Sequence, residues 1–236
     1  MPHPLVLVPT DPERRLLTPA LAAGLGSSVP MELCGFGPVA AAARTAALIA
    51  VHTPARVLLV GIAGRLDARL DIGAAYRFDR VACYGVGAGS GDGFVPAEAL
   101  GWRQWPGDPP DPEAAVGDVI DCGAEAAAAG GPSGLLLTAC AASATADDVA
   151  RRTTLFPAAV AEDMEGFGVA LACRLAGVPL TIIRGISNTA GDRDHARWRV
   201  PEALAAAAGL TLRILRSIER EKFMDARPRG PLEEPR

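Results

Sequence analysis

The chain has 236 residues, half of them hydrophobic, and a formal net charge of -4 at pH 7. That length can bury one substantial core, while no apolar run approaches the roughly 20 uninterrupted residues of a membrane span, so no membrane insertion is expected. A negative balance gives no long-range attraction to phosphate backbones and sets nucleic acid aside as a partner.

Leu5-Val6-Leu7-Val8 is a compact apolar run suited to a buried first strand. The residues before it form neither a basic region nor a long apolar stretch, which predicts no export signal and a cytoplasmic protein. Pro9-Thr10-Asp11-Pro12-Glu13 then turns into a helix, with Asp11 as N-cap, Pro12 at the first helical position and Glu13 in the first turn. A glutamate there is ordinarily a solvated acid favoured by the helix dipole. Glu13 also stands at the carboxyl end of the first strand, the sheet edge where ligands sit in α/β folds, and is a candidate on that ground.

Residues 31–36 read as a second strand, 38–51 as an alanine-rich helix closed by His52-Thr53-Pro54, and 56–62 as a third strand. It runs into Gly61-Ile62-Ala63-Gly64, a small-residue turn that either admits a ligand close to the backbone at Ala63 and Gly64 or serves packing alone. Residues 71–75 and 80–84 suggest two more strands. The glycine run over 85–93 lacks the third glycine of a dinucleotide fingerprint in every register and reads as a mobile loop. Residues 101–121 carry Trp102, Trp105 and clustered prolines, an irregular excursion suited to a lid or an interface. An alanine-rich piece at 124–129 leads to a strand at 134–138, a small-residue loop at 139–145 and a short helix at 147–154.

The chain is organised around residues 161–198, which read as strand, helix, strand and loop. Glu162-Asp163-Met164-Glu165 opens an apolar segment that stops at Ala176-Gly177 with Pro179 beyond, a helix C-terminus. Leu180-Thr181-Ile182-Ile183 is a buried strand whose end delivers Arg184, Ser187 and Asn188, so Glu165 and Asn188 converge on one crevice. Residues 201–217 make a C-terminal helix. Charge and proline dominate from Glu219 onward, dividing the chain into a domain over 1–218 and a disordered tail over 219–236.

Several chemistries can be set aside. The five cysteines are scattered singly, without a CxxC pair, as buried hydrophobes in a reducing compartment would be. His3, His52 and His195 are too dispersed for a metal site. Lys222 is the only lysine, which removes both a P-loop and a Schiff-base mechanism. Gly185-Ile186-Ser187-Asn188-Thr189 lacks the last glycine of a nucleophile elbow. Carboxylates, hydroxyls and amides remain, and neither metal nor cofactor is expected.

The combination of Glu13, Gly61-Ile62-Ala63-Gly64, Met164-Glu165-Gly166 and Ser187-Asn188 resembles the nucleoside phosphorylase and nucleosidase superfamily over nearly the whole chain before the tail. Within it, Arg184-Gly185-Ile186-Ser187-Asn188 followed by Gly191-Asp192-Arg193-Asp194 and Trp198 resembles the futalosine hydrolases. The resemblance implies a single three-layer α/β domain with a twisted mixed sheet flanked by helices, a homodimer or higher homo-oligomer, and hydrolysis of a small-molecule nucleoside in menaquinone biosynthesis. It gives Glu165 the ribose hydroxyls and the sugar's positive charge, Met164 the ribose face, and Glu13 the water. N-glycoside cleavage passes through an oxocarbenium-like sugar, which two carboxylates in different environments serve. The loop at Ala142-Ser143 takes the base-edge position, with no aromatic residue in it to stack on the base. Many family members acting on 6-aminopurines carry Asp at the position of Asn188. An Asn amide presents two donor hydrogens, suiting the N7 and O6 acceptors of hypoxanthine, or else it only caps its loop. Arg193 either pairs with the substrate's benzoate carboxylate or sits on the surface with Asp192 or Asp194. The rival readings are a purine nucleoside phosphorylase, a 5'-methylthioadenosine or aminofutalosine nucleosidase, and a purine-binding protein without catalysis.

Overall fold

The computed structural model describes residues 3–25, 29–108, 114–123 and 134–225. The elements run β1 (Pro4–Val8), α1 (Asp11–Leu25), β2 (Met31–Leu33), α2 (Pro38–His52), β3 (Arg56–Arg65), β4 (Ala75–Phe78), β5 (Arg80–Tyr84), β6 (Gly87–Ala88) and β7 (Val95–Pro96). They continue with β8 (Val119–Asp121), β9 (Leu135–Ala139), α3 (Ala146–Leu155), β10 (Ala159–Asp163), α4 (Gly166–Ala176), β11 (Leu180–Thr189) and α5 (Val200–Asp225).

Alternation along β1 sorts the layers. Leu5 and Leu7 face one core with Ala41 and Leu48 of α2 and Phe167 and Ala170 of α4, while Val6 and Val8 face a second with Leu17 and Leu21 of α1 and Leu204 and Ala207 of α5. Val57 and Leu59 against Leu58 and Val60 repeat the pattern in β3. Each of these strand side chains is fully buried, worth roughly 1.5–3 kcal/mol apiece in removal from water. The result is a three-layer α/β/α domain around a mixed sheet ordered β2-β1-β3-β10-β9-β5-β8, with β11 and β4 continuing from the other edge of β3.

The strand β3 changes partner along its length. Its first residues pair in parallel with β1, as far as Leu7 opposite Leu59. Its last pair with the antiparallel β10, Glu162 opposite Gly64 and Ala161 opposite Arg65. β1 and β10 therefore approach β3 from opposite ends with their carboxyl termini facing each other. The gap between them, at residues 60–63 of β3, is where the site forms.

Several expectations need correcting. Gly61-Ile62-Ala63-Gly64 is not a turn but the second half of β3, held throughout by β11. A Cβ on Gly61 would run into the Arg184 guanidinium and come within 2.9 Å of Glu13 Oε1, so the residue is small because a buried cation lies across it. Residues 71–74 are not a strand, and β4 starts at Ala75. The glycine run contains the short hairpin of β6 with β7. The last helix passes Glu219, where the tail was expected, and reaches Asp225. Glu, Arg and Lys in that stretch are good helix formers, and charge alone does not stop a helix. The alanine-rich piece at 124–129 and the tail beyond 225 lie outside the described residues.

Candidate active site

Thr10, not Asp11, precedes the first helical residue, and its hydroxyl donates to Glu13 Oε2 at 2.6 Å. Asp11 lies inside the first turn and takes both neighbouring cations, Arg14 and Arg15, each at 2.6 Å. Glu13 is thereby turned inward, where its Oε1 accepts the Ile62 N–H at 3.0 Å. That amide lies in the part of β3 that neither β1 nor β10 covers, so a carboxylate stands in for the missing strand.

On the facing side, Asp163 ends β10 and organises the entry to α4. Its Oδ2 accepts the Gly166 N–H at 2.9 Å and its Oδ1 accepts the Thr138 hydroxyl at 2.6 Å, while Thr138 Oγ1 in turn accepts the Phe167 N–H at 2.8 Å. Two orphan donors of the helix N-terminus are satisfied this way. A Cβ at Gly166 would fall 2.8 Å from Asp163 Oδ2, which accounts for glycine after Met164-Glu165. Asp163 also binds Arg184 of β11, whose guanidinium is wholly buried and reaches Glu165 Oε2 at 3.4 Å.

Because Asp163 and Thr138 cap α4, Glu165 at the cap position is free to project into the gap. Its Oε1 accepts the Gly37 N–H at 3.1 Å, just ahead of α2. Burial pushes the Glu165 carboxyl up to about 7, against the opposing pull of Arg184.

Glu13, Ala63, Gly64, Ser143, Met164, Glu165, Ser187, Asn188 and Arg193 all line one pocket of about 370 Å³. Their engagement differs from expectation. Asn188 Nδ2 donates to Thr189 O at 2.9 Å and its Oδ1 accepts from Ser187 Oγ at 2.7 Å, so one amide hydrogen, not two, remains to offer. Ser143 has neither of its donors free, since its N–H and hydroxyl both go to Glu162, at 2.8 and 2.7 Å. Arg193 lies over the Trp198 ring at 5.2 Å, and Arg197 takes the pairing with Asp192 and Asp194 that Arg193 was considered for.

Sequence reasoning missed Thr10, Glu162, Asp163 and the aromatic lining. Phe36, 65 % exposed, and Trp198 border the pocket although the 142–143 loop itself has no aromatic residue. Thr10 three residues before Glu13 was a readable capping signal. Asp163 has one local partner, the Gly166 N–H three residues on, but it meets Thr138 and Arg184 only through the sheet, and Glu162 meets Ser143 and Arg152 only through the loop and helix that follow β9. No group of metal-ligating side chains occurs among the described residues, and none of their helices is long and apolar enough to cross a membrane.

A mixed-sheet α/β/α domain of this order is the fold of a known class. Residues 13–218 match the phosphorylase superfamily, and the chain belongs to it. Within that superfamily it is 38 % identical over 177 residues to the futalosine hydrolase of Streptomyces coelicolor, covering 73 % of this chain and 72 % of that one. With the futalosine hydrolase of Thermus thermophilus it shares 32 % over 183 residues, 77 % and 78 % of the two chains. Its fold superposes with a TM-score of 0.69 on the 5'-methylthioadenosine/S-adenosylhomocysteine nucleosidase of Colwellia psychrerythraea solved with adenine, at 23 % identity over 91 % of this chain and 94 % of that one. The sequence matches place the chain among the futalosine hydrolases.

Proposed function

We propose that the protein hydrolyses the N-glycosidic bond of futalosine, releasing hypoxanthine and dehypoxanthine futalosine, in menaquinone biosynthesis in the cytoplasm and without metal or cofactor. The observation that carries this reading is the pair of buried carboxylates, Glu13 and Glu165, brought to one pocket from the ends of two strands that meet head to head. As the bond from the sugar C1' to purine N9 breaks, its electron pair leaves with the base and positive charge grows on the ribose. Glu165 holds the ribose hydroxyls and balances that charge, with Met164 against the sugar. Glu13 orients the attacking water and takes its proton as the new C–O bond forms. The free Asn188 N–H donates to the departing base at N7 or O6, where its negative charge collects.

Water is favoured over phosphate by where the cations are. Arg14 and Arg15 are held by Asp11, Arg65 by Thr189 Oγ1 and Leu70 O, and Arg184 by Asp163. A phosphate in the gap would face Glu13, Glu165 and Asp163. Arg193 stands at the edge of the pocket on Trp198, free of Asp192 and Asp194, and is the group suited to the substrate's benzoate carboxylate. The outer face of α2, with Val39 and Val51 more than three-quarters exposed, supports association of the chain with copies of itself.

Hypoxanthine release from futalosine in phosphate-free buffer, repeated with phosphate, tests the proposal. Release at the same rate in both is expected. Release that requires phosphate would make the protein a phosphorylase, and no release from any purine nucleoside would refute a catalytic role in either form.

A further inference from the structure

One buried acid in the pocket has no part in the chemistry above. Glu162 is 5 % exposed and lies between the base-edge loop and β3. Its Oε2 is fully engaged, accepting from Ser143 Oγ at 2.7 Å and from Arg152 Nη1 at 2.6 Å, whereas its Oε1 has a single partner, the Ser143 N–H at 2.8 Å. Arg152 is itself anchored, donating to Ala141 O at 2.7 Å and lying 5.0 Å over the Tyr84 ring. The carboxylate is thus fixed in place, its charge is balanced, and it has room for one more donor.

Sheet register sets Glu162 against the other base-reading group. Gly64 lies opposite Glu162 on one side and opposite Asn188 on the other. The two residues are therefore two ladder spacings apart, about 10 Å between backbones, with no side chain on the strand between them. Ala190 packs over Gly64, 3.4 Å from where a Cβ would stand, so a base held at both edges lies on the pocket side of it, against the lining that Glu162 and Asn188 share.

We propose that Glu162 selects the purine, accepting the N1–H of a 6-oxopurine on Oε1 while Asn188 donates to N7 or O6. This rests on the nucleosidase reading. A 6-oxopurine presents a donor at N1 and acceptors at O6 and N7. A 6-aminopurine presents a bare lone pair at N1, which would face a carboxylate, and both Ser143 donors that could satisfy it are already turned to Glu162. Discrimination between the two bases then comes from an unpaired acceptor as much as from a lost hydrogen bond.

The test compares three substrates: futalosine, its 1-deaza analogue, in which C–H replaces N1–H, and aminofutalosine. With the unaltered protein, kcat/KM for the 1-deaza analogue should fall at least about tenfold. Glu162→Gln, whose amide can accept or donate, should narrow the ratio of futalosine to aminofutalosine by a similar factor. Equal hydrolysis of futalosine and its 1-deaza analogue would overturn the proposal while leaving the nucleosidase reading intact. So would a Glu162→Gln protein that loses both natural substrates in equal proportion, the outcome of a purely structural role for the loop. Should the variant fail to fold, the 1-deaza comparison decides alone. No hydrolysis of any purine nucleoside would remove the reading beneath it as well.

Discussion

Replacing Glu13 by Gln separates its chemistry from its architecture. The carboxylate makes two contacts, Oε1 with the Ile62 N–H at 3.0 Å and Oε2 with the Thr10 hydroxyl at 2.6 Å. A glutamine of the same shape can keep both, its oxygen accepting from Ile62 and its amide donating to Thr10 Oγ1, so stability should change by less than about 1 kcal/mol. Basicity is lost, and kcat should fall about 10²–10⁴-fold, or roughly 3–5 kcal/mol of barrier. Glu13→Ala removes the contacts too, leaving the Ile62 amide without its acceptor, and should lower stability by about 1–3 kcal/mol in addition. Hypoxanthine release under single turnover, with urea denaturation of the same preparations, measures both effects. A glutamine variant with unchanged kcat would refute the reasoning and reduce Glu13 to a prop for an uncovered strand.

Glu165 acts as a charged group, and burial raises its carboxyl to about 7; protonation below that value neutralises it, so kcat/KM should fall as pH drops through about 7, and a profile flat down to pH 5 would count against its role. Asp163→Asn strips the buried Arg184 of its closest counter-charge and should destabilise the fold by about 3–5 kcal/mol in urea denaturation. Gly61→Ala drives a methyl into the Arg184 guanidinium beside Glu13 and should lower both the denaturation midpoint and kcat, at about 1–3 kcal/mol of stability. Arg193→Ala should raise KM several-fold for futalosine and leave that for inosine, which has no benzoate, unchanged.

Local pattern revealed most of the elements and some of their ends. The alternation in Leu5-Val6-Leu7-Val8, the helix stop at Gly177, whose φ is 65°, and the cluster at 162–165 each carried its own signal. What failed was the reading of small residues as turns. Gly61 and Gly64 lie within β3, and β11 runs past its predicted end at Ile183 through Gly185, where a Cβ would strike the Ala203 carbonyl of α5. Glycine at a close approach inside a strand and glycine in a turn look alike in a sequence. The ion pair of Arg184 on β11 with Asp163 on β10, 21 residues apart, forms across β3, and that of Arg152 with Glu162, 10 apart, depends on where α3 sits against the sheet, so local pattern encodes neither. Asn188 carried two readings, a two-donor amide for the base or a cap of its own loop, and the neighbouring Thr189 carbonyl, which takes one of its donors, leaves room for both.

The hydrogen bond from the Ile62 amide to Glu13 makes the backbone a witness to the side chain. An amide proton bound to a carboxylate shifts its resonance when that carboxylate gains a proton. In an isotope-labelled sample the Ile62 N–H would therefore record the charge on Glu13 directly, free of any assay of turnover. Titrated alone and again with a bound inhibitor, one peak would tell whether the acid that orients water changes its readiness once the sugar is in place.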